Sequence, residues 1–135
     1  MKYKMNTYNK TIVLIIISIA VFSCTYKKGE LQVGCQMPVT VSFNQDIIPI
    51  LNSQCSTFGC HTSSMRAGNL NLEASVAYVQ LMQPGKGYID TLNPTYSVLY
   101  NKLITTTNPM PLSGKLDNCK INVILKWIQQ KAKNN

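Results

Sequence analysis

The only histidine of this 135-residue chain directly follows the second of two neighbouring cysteines, in the segment Cys55-Ser-Thr-Phe-Gly-Cys60-His61. Two thiols and an adjacent imidazole can hold a haem covalently, because the sulfurs form thioethers with its vinyl groups and the imidazole binds iron. The usual attachment sequence has two residues between the cysteines, and this chain has four. The segment therefore predicts one covalent haem c with an unusual spacer, anchored by Cys55 and Cys60 and ligated by His61.

Three other interpretations of these residues remain open. A local disulfide between Cys55 and Cys60 would leave His61 as an exposed loop residue. Zinc binding would need Cys35 or Cys119 as a fourth ligand. A Cys–His nucleophile is the weakest alternative, because His61 is covalently next to Cys60 and no acid or amide is marked to orient the imidazole.

The sequence contains no second histidine, so ligation by two histidines of one chain is excluded, and methionine thioethers are the candidate second ligands. Met110 is favoured over Met37, Met65 and Met82, because prolines on both sides restrict its backbone and lower the entropy lost in placing the sulfur. His/Met ligation fills both axial positions, which suits an electron carrier rather than a catalyst. An open sixth position would instead suit a haem-based ligand sensor.

Residues 1–23 are typical of a signal peptide. Met1 to Lys10 carries three lysines and no acid, and a largely apolar run of twelve residues follows, Thr11 to Phe22. Twelve helical residues span about 18 Å, well short of the hydrocarbon core of about 30 Å. The ending Val-Phe-Ser-Cys24 resembles the lipobox of bacterial lipoproteins, so we expect Cys24 to be lipidated, with an ordinary secretory signal as the alternative.

The predicted mature chain is a polar tether over residues 24–40 followed by one domain over residues 41–135. It would be exported and held by its lipid at a membrane, in the periplasm or at the outer membrane. Its ten basic and five acidic residues are scattered, with no run of lysines beyond two. This pattern argues against nucleic-acid binding and is compatible with docking to acidic redox partner proteins.

Two cysteines have no place in the haem motif or at the lipid anchor, Cys35 and Cys119. Disulfides persist in the oxidising compartments that exported proteins reach. We therefore predict that these two residues pair. Two unpaired thiols are the alternative, because sequence alone does not fix connectivity.

Four segments with helical periodicity and none with strand alternation predict an all-α domain. The first carries the stripe Phe43, Ile47, Ile50 and Leu51 and leads into Cys55. Ser42 and Gln45 could form its capping box, and Pro49 requires either a kink or a later start with Asp46 as the cap. The second predicted helix covers Leu72 to Met82. The third begins with Asn93 as its cap and Pro94 at the first helical position, and it carries the stripe Tyr96, Leu99, Tyr100 and Leu103. The fourth covers about Asn118 to Lys131, with Asp117 as its cap and a buried face formed by Ile121, Ile124, Leu125 and Ile128.

Several of these segments together resemble planctomycete-type cytochrome c domains. The stretch Val41 to Leu51, followed by Cys55, Cys60 and His61, is similar to the opening of that family. Four later segments resemble the family in the same order: Gly68 to Leu72, Asn93-Pro94, Met110-Pro111 and Ile124 to Ile128. The likeness covers about residues 41–132.

The resemblance implies a class I-like cytochrome c fold, with about four short helices around one covalent haem. His61 would be the proximal and Met110 the distal iron ligand. The first and last helices of such folds pack together, which would bring Cys35 towards Cys119. Gly59 would give the longer spacer its backbone freedom. The implied function is one-electron transfer without catalysis, and the alternative is a haem-free, disulfide-stabilised binding or structural lipoprotein.

Overall fold

The computed structural model describes residues 34–57 and 59–135 of the chain. Every regular element in these two ranges is helical, and neither contains a strand, so the all-α prediction is confirmed. Cys35 to Asn135 form one compact unit by their contacts. The predicted signal peptide, Cys24 and the first part of the predicted tether lie outside the described residues. Among the helices of the described ranges, none is long and apolar enough to cross a membrane.

The first helical segment accommodates Pro49 by changing its hydrogen-bond register. A π-helical turn at Phe43–Ile47 is followed by α1 at Ile48–Leu51 and a second π-helical turn at Asn52–Ser56. Pro49 is the second residue of α1, a position where a missing N–H costs little because the first N–H groups of an α-helix have no partner within it. The continuous segment carries the chain to Cys55.

The start of this segment is capped from two directions. The Ser42 hydroxyl accepts a hydrogen bond from the Gln45 N–H at 3.2 Å, which is half of the predicted capping box. The reciprocal half comes from Asp46, whose carboxylate accepts from the Ser42 N–H at 2.7 Å. The Ser42 hydroxyl also donates to the carbonyl of Asn135 at 2.7 Å, so the end of the chain is tied to its first helix.

The second helix is shorter than the sequence predicts. The pattern favoured Leu72 to Met82, whereas α2 covers only Ala77–Leu81. Leu72 is buried in non-helical chain, and its N–H donates to the His61 carbonyl at 2.8 Å. This bond holds Leu72 in extended chain beside the His61 turn, so the helix begins only after it.

The third helix is preceded by a separate turn. Pro94–Tyr96 forms a 3₁₀ turn, and α3 follows at Val98–Ile104. Asn93 makes no side-chain cap, so that part of the prediction is wrong. Tyr96 is 75 % exposed and does not belong to the buried stripe, because the change of helix type at Ser97 breaks the periodicity, whereas Leu103 is buried as expected.

The fourth helix agrees closely with its prediction. Helix α4 covers Asn118–Gln129, and the Asp117 carboxylate caps it by accepting from the Lys120 N–H at 2.9 Å. Three of the four predicted residues of its inner face are buried, Ile121, Ile124 and Ile128, whereas Leu125 is partly exposed. Trp127 is also buried on this helix. The helix ends two residues before the predicted Lys131.

Aromatic packing joins the first and last helical segments, as the family resemblance implies. The ring centroid of Phe43 lies 5.1 Å from that of Trp127 and 5.2 Å from that of Tyr78, the latter edge-on. Each such pair contributes about 1 kcal/mol beyond burial. The Tyr78 hydroxyl and the Trp127 N–H then donate to the carbonyls of Ala132 and Lys133, which fixes the C-terminal residues over the core.

Cys35 and Cys119 form the predicted disulfide. Their Cα atoms are 5.4 Å apart, and the bond closes a sequence separation of 84 residues. The bond links the first residue of the compact unit to the N-terminal turn of α4. Because cross-links that close long loops remove much entropy from the unfolded chain, this bond is expected to stabilise the fold strongly.

Replacing both cysteines in a Cys35→Ser/Cys119→Ser variant should lower the free energy of unfolding by about 4 kcal/mol. Urea denaturation followed by circular dichroism measures the change. The parent protein in excess reductant serves as a control and should show a similar loss. A variant as stable as the oxidised parent would contradict a structural role for the bond.

Candidate functional site

The turn after the first helical segment fixes the backbone of His61 from two sides. Its N–H donates to the carbonyl of Cys55 at 3.2 Å, and its carbonyl accepts from the Leu72 N–H at 2.8 Å. The partly buried side chain is therefore positioned by a helix end and by the buried chain of Leu70 and Leu72.

A third contact sets the tautomer of the imidazole. The Nδ1 atom of His61 lies 3.3 Å from the carbonyl oxygen of Leu70. A carbonyl can only accept, so Nδ1 carries the proton in this hydrogen bond and a neutral imidazole keeps its lone pair on Nε2. Metal-binding histidines commonly use this arrangement, in which the second ring nitrogen is held by a carbonyl.

The imidazole borders an apolar cleft that also reaches Cys55 and Met110. The cleft contains about 770 Å³ of empty space when its open mouth is included. Leucines supply much of the wall: Leu70, Leu72, Leu81, Leu99 and Leu103.

A second cleft shares several of these residues and adds the other thiol. Cys55, His61 and Met110 line both clefts, and Cys60 lines the second, which contains about 540 Å³ of empty space. The structure thus brings together all four residues for which the sequence predicts haem attachment or iron ligation. Pro111 and Leu112 form part of the rim.

Met110 is held in this position by its own backbone. Its N–H donates to the carbonyl of Lys102 in α3 at 2.8 Å, so the loop is fastened to the helix that forms one wall of the cleft. The other methionines of the predicted mature chain are at least 37 % exposed and line neither cleft: Met37, Met65 and Met82. Among the methionines of residues 34–57 and 59–135, only Met110 lines a cleft together with His61.

The spacer between the cysteines uses the conformational freedom of Gly59. This residue has φ +76°, in the left-handed region that other residues rarely adopt, and its N–H donates to the Ser56 carbonyl at 2.9 Å. Phe58 lies outside the described residues. The turn lets Cys60 follow Cys55 at the edge of the same cleft despite the two extra residues.

Burial keeps Cys55 in its neutral form. Loss of solvent, together with a smaller electrostatic contribution from Cys60, raises the pKa of its thiol to about 11. A protonated thiol is a poor nucleophile and a poor zinc ligand. Within residues 34–57 and 59–135, no three side chains of His, Cys, Asp or Glu are grouped to hold a metal. The zinc and Cys–His nucleophile interpretations therefore gain no support.

Sequence reasoning missed two backbone partners of the site, the carbonyls of Leu70 and Lys102. In the sequence, the segment Gly68 to Leu72 stands out only by its likeness to a family. Its alternating leucines are a signal for buried extended chain, but nothing local indicates that the Leu70 carbonyl faces an imidazole nine residues earlier.

The chain was compared with models of known protein families, with curated proteins and with solved structures, and none of them matches it. The likeness to cytochrome c domains therefore rests on the residues named above.

Alkylation should reveal the buried thiol of Cys55 in the chain without haem. At pH 8 the raised pKa lowers its thiolate fraction about a hundredfold relative to an ordinary cysteine, so iodoacetamide should react correspondingly slowly. The rate should continue to rise above pH 9, reach half of its maximum near pH 11 and level off only at higher pH. Mass spectrometry with fragmentation locates the label, and the protein in urea is the control. Equal rates in the folded and unfolded chain would contradict the burial.

Proposed function

We propose that this chain is a membrane-tethered, exported mono-haem c-type cytochrome of the planctomycete type that carries single electrons. The observation that carries the proposal is the His61 imidazole, whose Nδ1 faces the Leu70 carbonyl and whose Nε2 keeps its lone pair beside an apolar cleft. Met110 and Cys55 line that same cleft.

The donor set fits a haem better than it fits a bare metal ion. Imidazole and thioether are the two axial ligands of many electron-transfer haems, and the porphyrin itself supplies the remaining ligands. Apolar leucine walls suit the faces of a macrocycle. The macrocycle would also add apolar surface to the small core that a domain of about 100 residues can form. The protonated state of Cys55 is compatible with this use and unfavourable for zinc.

Cys55 and Cys60 would hold the group through thioethers. Each anchor forms when a thiol S–H adds across a vinyl C=C bond, with sulfur bonding to one carbon and hydrogen to the other. This addition needs no oxidant, because every atom of the thiol and of the vinyl group is kept in the product. It requires reduced thiols, and Cys55 is a thiol in this structure rather than half of a local disulfide.

His61 and Met110 would determine what the bound group can do. When bound, the haem supplies an iron that cycles between its ferrous and ferric states. The carbonyl of Leu70 orients the imidazole, and the backbone of the Met110 loop is fastened to Lys102, which would position the thioether. If His61 and Met110 both held the iron, the chain itself would occupy the positions at which a substrate could bind, so we propose a carrier and not an enzyme.

The proposed setting follows from the N-terminal pattern and the charge. Lipid on Cys24 would hold the protein at a membrane surface in the periplasm or at the outer membrane. The proposed partners are redox proteins, with no role for nucleic acid. A mild excess of scattered lysines would favour partners with acidic surfaces.

Protein purified from cells equipped for c-type cytochrome maturation should be coloured. In alkaline pyridine with dithionite it should give a c-type haemochrome spectrum, and mass spectrometry should find one haem on the peptide that contains Cys55 and Cys60. Colourless protein that lacks two hydrogens on this peptide would instead support the haem-free, disulfide-stabilised alternative.

A Met110→Ala variant should lose the sulfur-to-iron charge-transfer band of the ferric protein. Its reduction potential should fall by on the order of 100 mV, because a thioether ligand favours the ferrous state. Met82→Ala is the matched control and should change neither quantity. If the two variants behaved alike, Met110 would not be the distal ligand.

A further inference from the structure

Lys102 is the one lysine or arginine among the residues that line the main cleft. The lining is almost entirely apolar, so the methylene stem of Lys102 faces the cleft while its ammonium group lies beyond the apolar surface. The same residue lines a shallow groove with Val98, Asn101 and Thr105. Lys102 therefore stands at the border between the cleft and the protein surface.

The charge of Lys102 has no acidic partner within residues 34–57 and 59–135. The ion pair found there joins Lys120 to Asp117 at 2.8 Å. Glu73 and Asp90, two other carboxylates, are occupied by hydrogen bonds with Asn71 and with the Leu92 and Asn93 N–H groups. The ammonium at the rim thus remains available to an anionic group on a ligand.

The position of Lys102 is fixed relative to the proposed iron ligand. It belongs to the last turn of α3, and its carbonyl accepts from the Met110 N–H at 2.8 Å. A ligand that filled the cleft between His61 and Met110 would therefore bring its edge towards this lysine.

We propose that Lys102 recognises a carboxylate on the edge of the bound macrocycle, which for a haem is a propionate. This inference rests on the proposed function. A single cation at the edge of an otherwise apolar wall is complementary to a ligand that has apolar faces and an acidic edge. Because the ammonium is exposed to solvent, the pairing should improve binding only a few-fold.

Reversible binding of ferric haem and of its dimethyl ester tests the inference, because the ester has the same faces but no carboxylate. The full-length Cys55→Ser/Cys60→Ser variant, which cannot attach the group covalently, is titrated with each and followed by absorption. Haem should bind about two- to fivefold more tightly than the ester. Adding Lys102→Gln should remove the preference, and Lys102→Arg should retain it.

Lys126→Gln in the same background is the charge-matched control, since Lys126 lies in α4 and lines neither cleft, and the preference should persist there. Equal affinities in the parent, or a preference that survives Lys102→Gln, would overturn the role of Lys102 while the haem site stands. If neither haem nor ester bound, the proposed function would fail and this assignment with it.

Discussion

The hydrogen bond between the His61 Nδ1 and the Leu70 carbonyl is the constraint on which the site depends. It decides which nitrogen carries the proton, and so which one can donate to a metal. It also joins the turn after the first helical segment to a buried stretch of extended chain. Without it the imidazole would be an ordinary loop side chain that could rotate into solvent.

The rest of the fold serves to keep this contact in place. Leu70 and Leu72 are buried, so the chain that supplies the carbonyl cannot move without exposing apolar surface. Phe43 and Trp127 pack the first helical segment against α4, and the disulfide at Cys119 ties the beginning of the domain to the start of that helix. The core and the disulfide thus hold together the first and last helical segments of the compact unit, and the residues between these segments form much of the cleft.

The cleft combines an apolar wall with very few polar groups, and each of these has a defined state. Burial favours the protonated thiol of Cys55. The Met110 loop is fastened to α3 through its backbone. Lys102 contributes its stem to the wall and its charge to the rim.

Sequence patterns were enough to predict the helical class, the cap of α4 at Asp117, most of its buried face and the pairing of Cys35 with Cys119. These features depend on near neighbours, on periodicity or on counting cysteines. Sequence reasoning was wrong where long-range packing overrides local preference, as in the short α2 and the exposed Tyr96. Only the tertiary structure placed the Leu70 carbonyl at His61, the Met110 loop on α3 and Lys102 at the rim. Those contacts arise where loops cross a common core, and which backbone groups meet there depends on how the whole core packs.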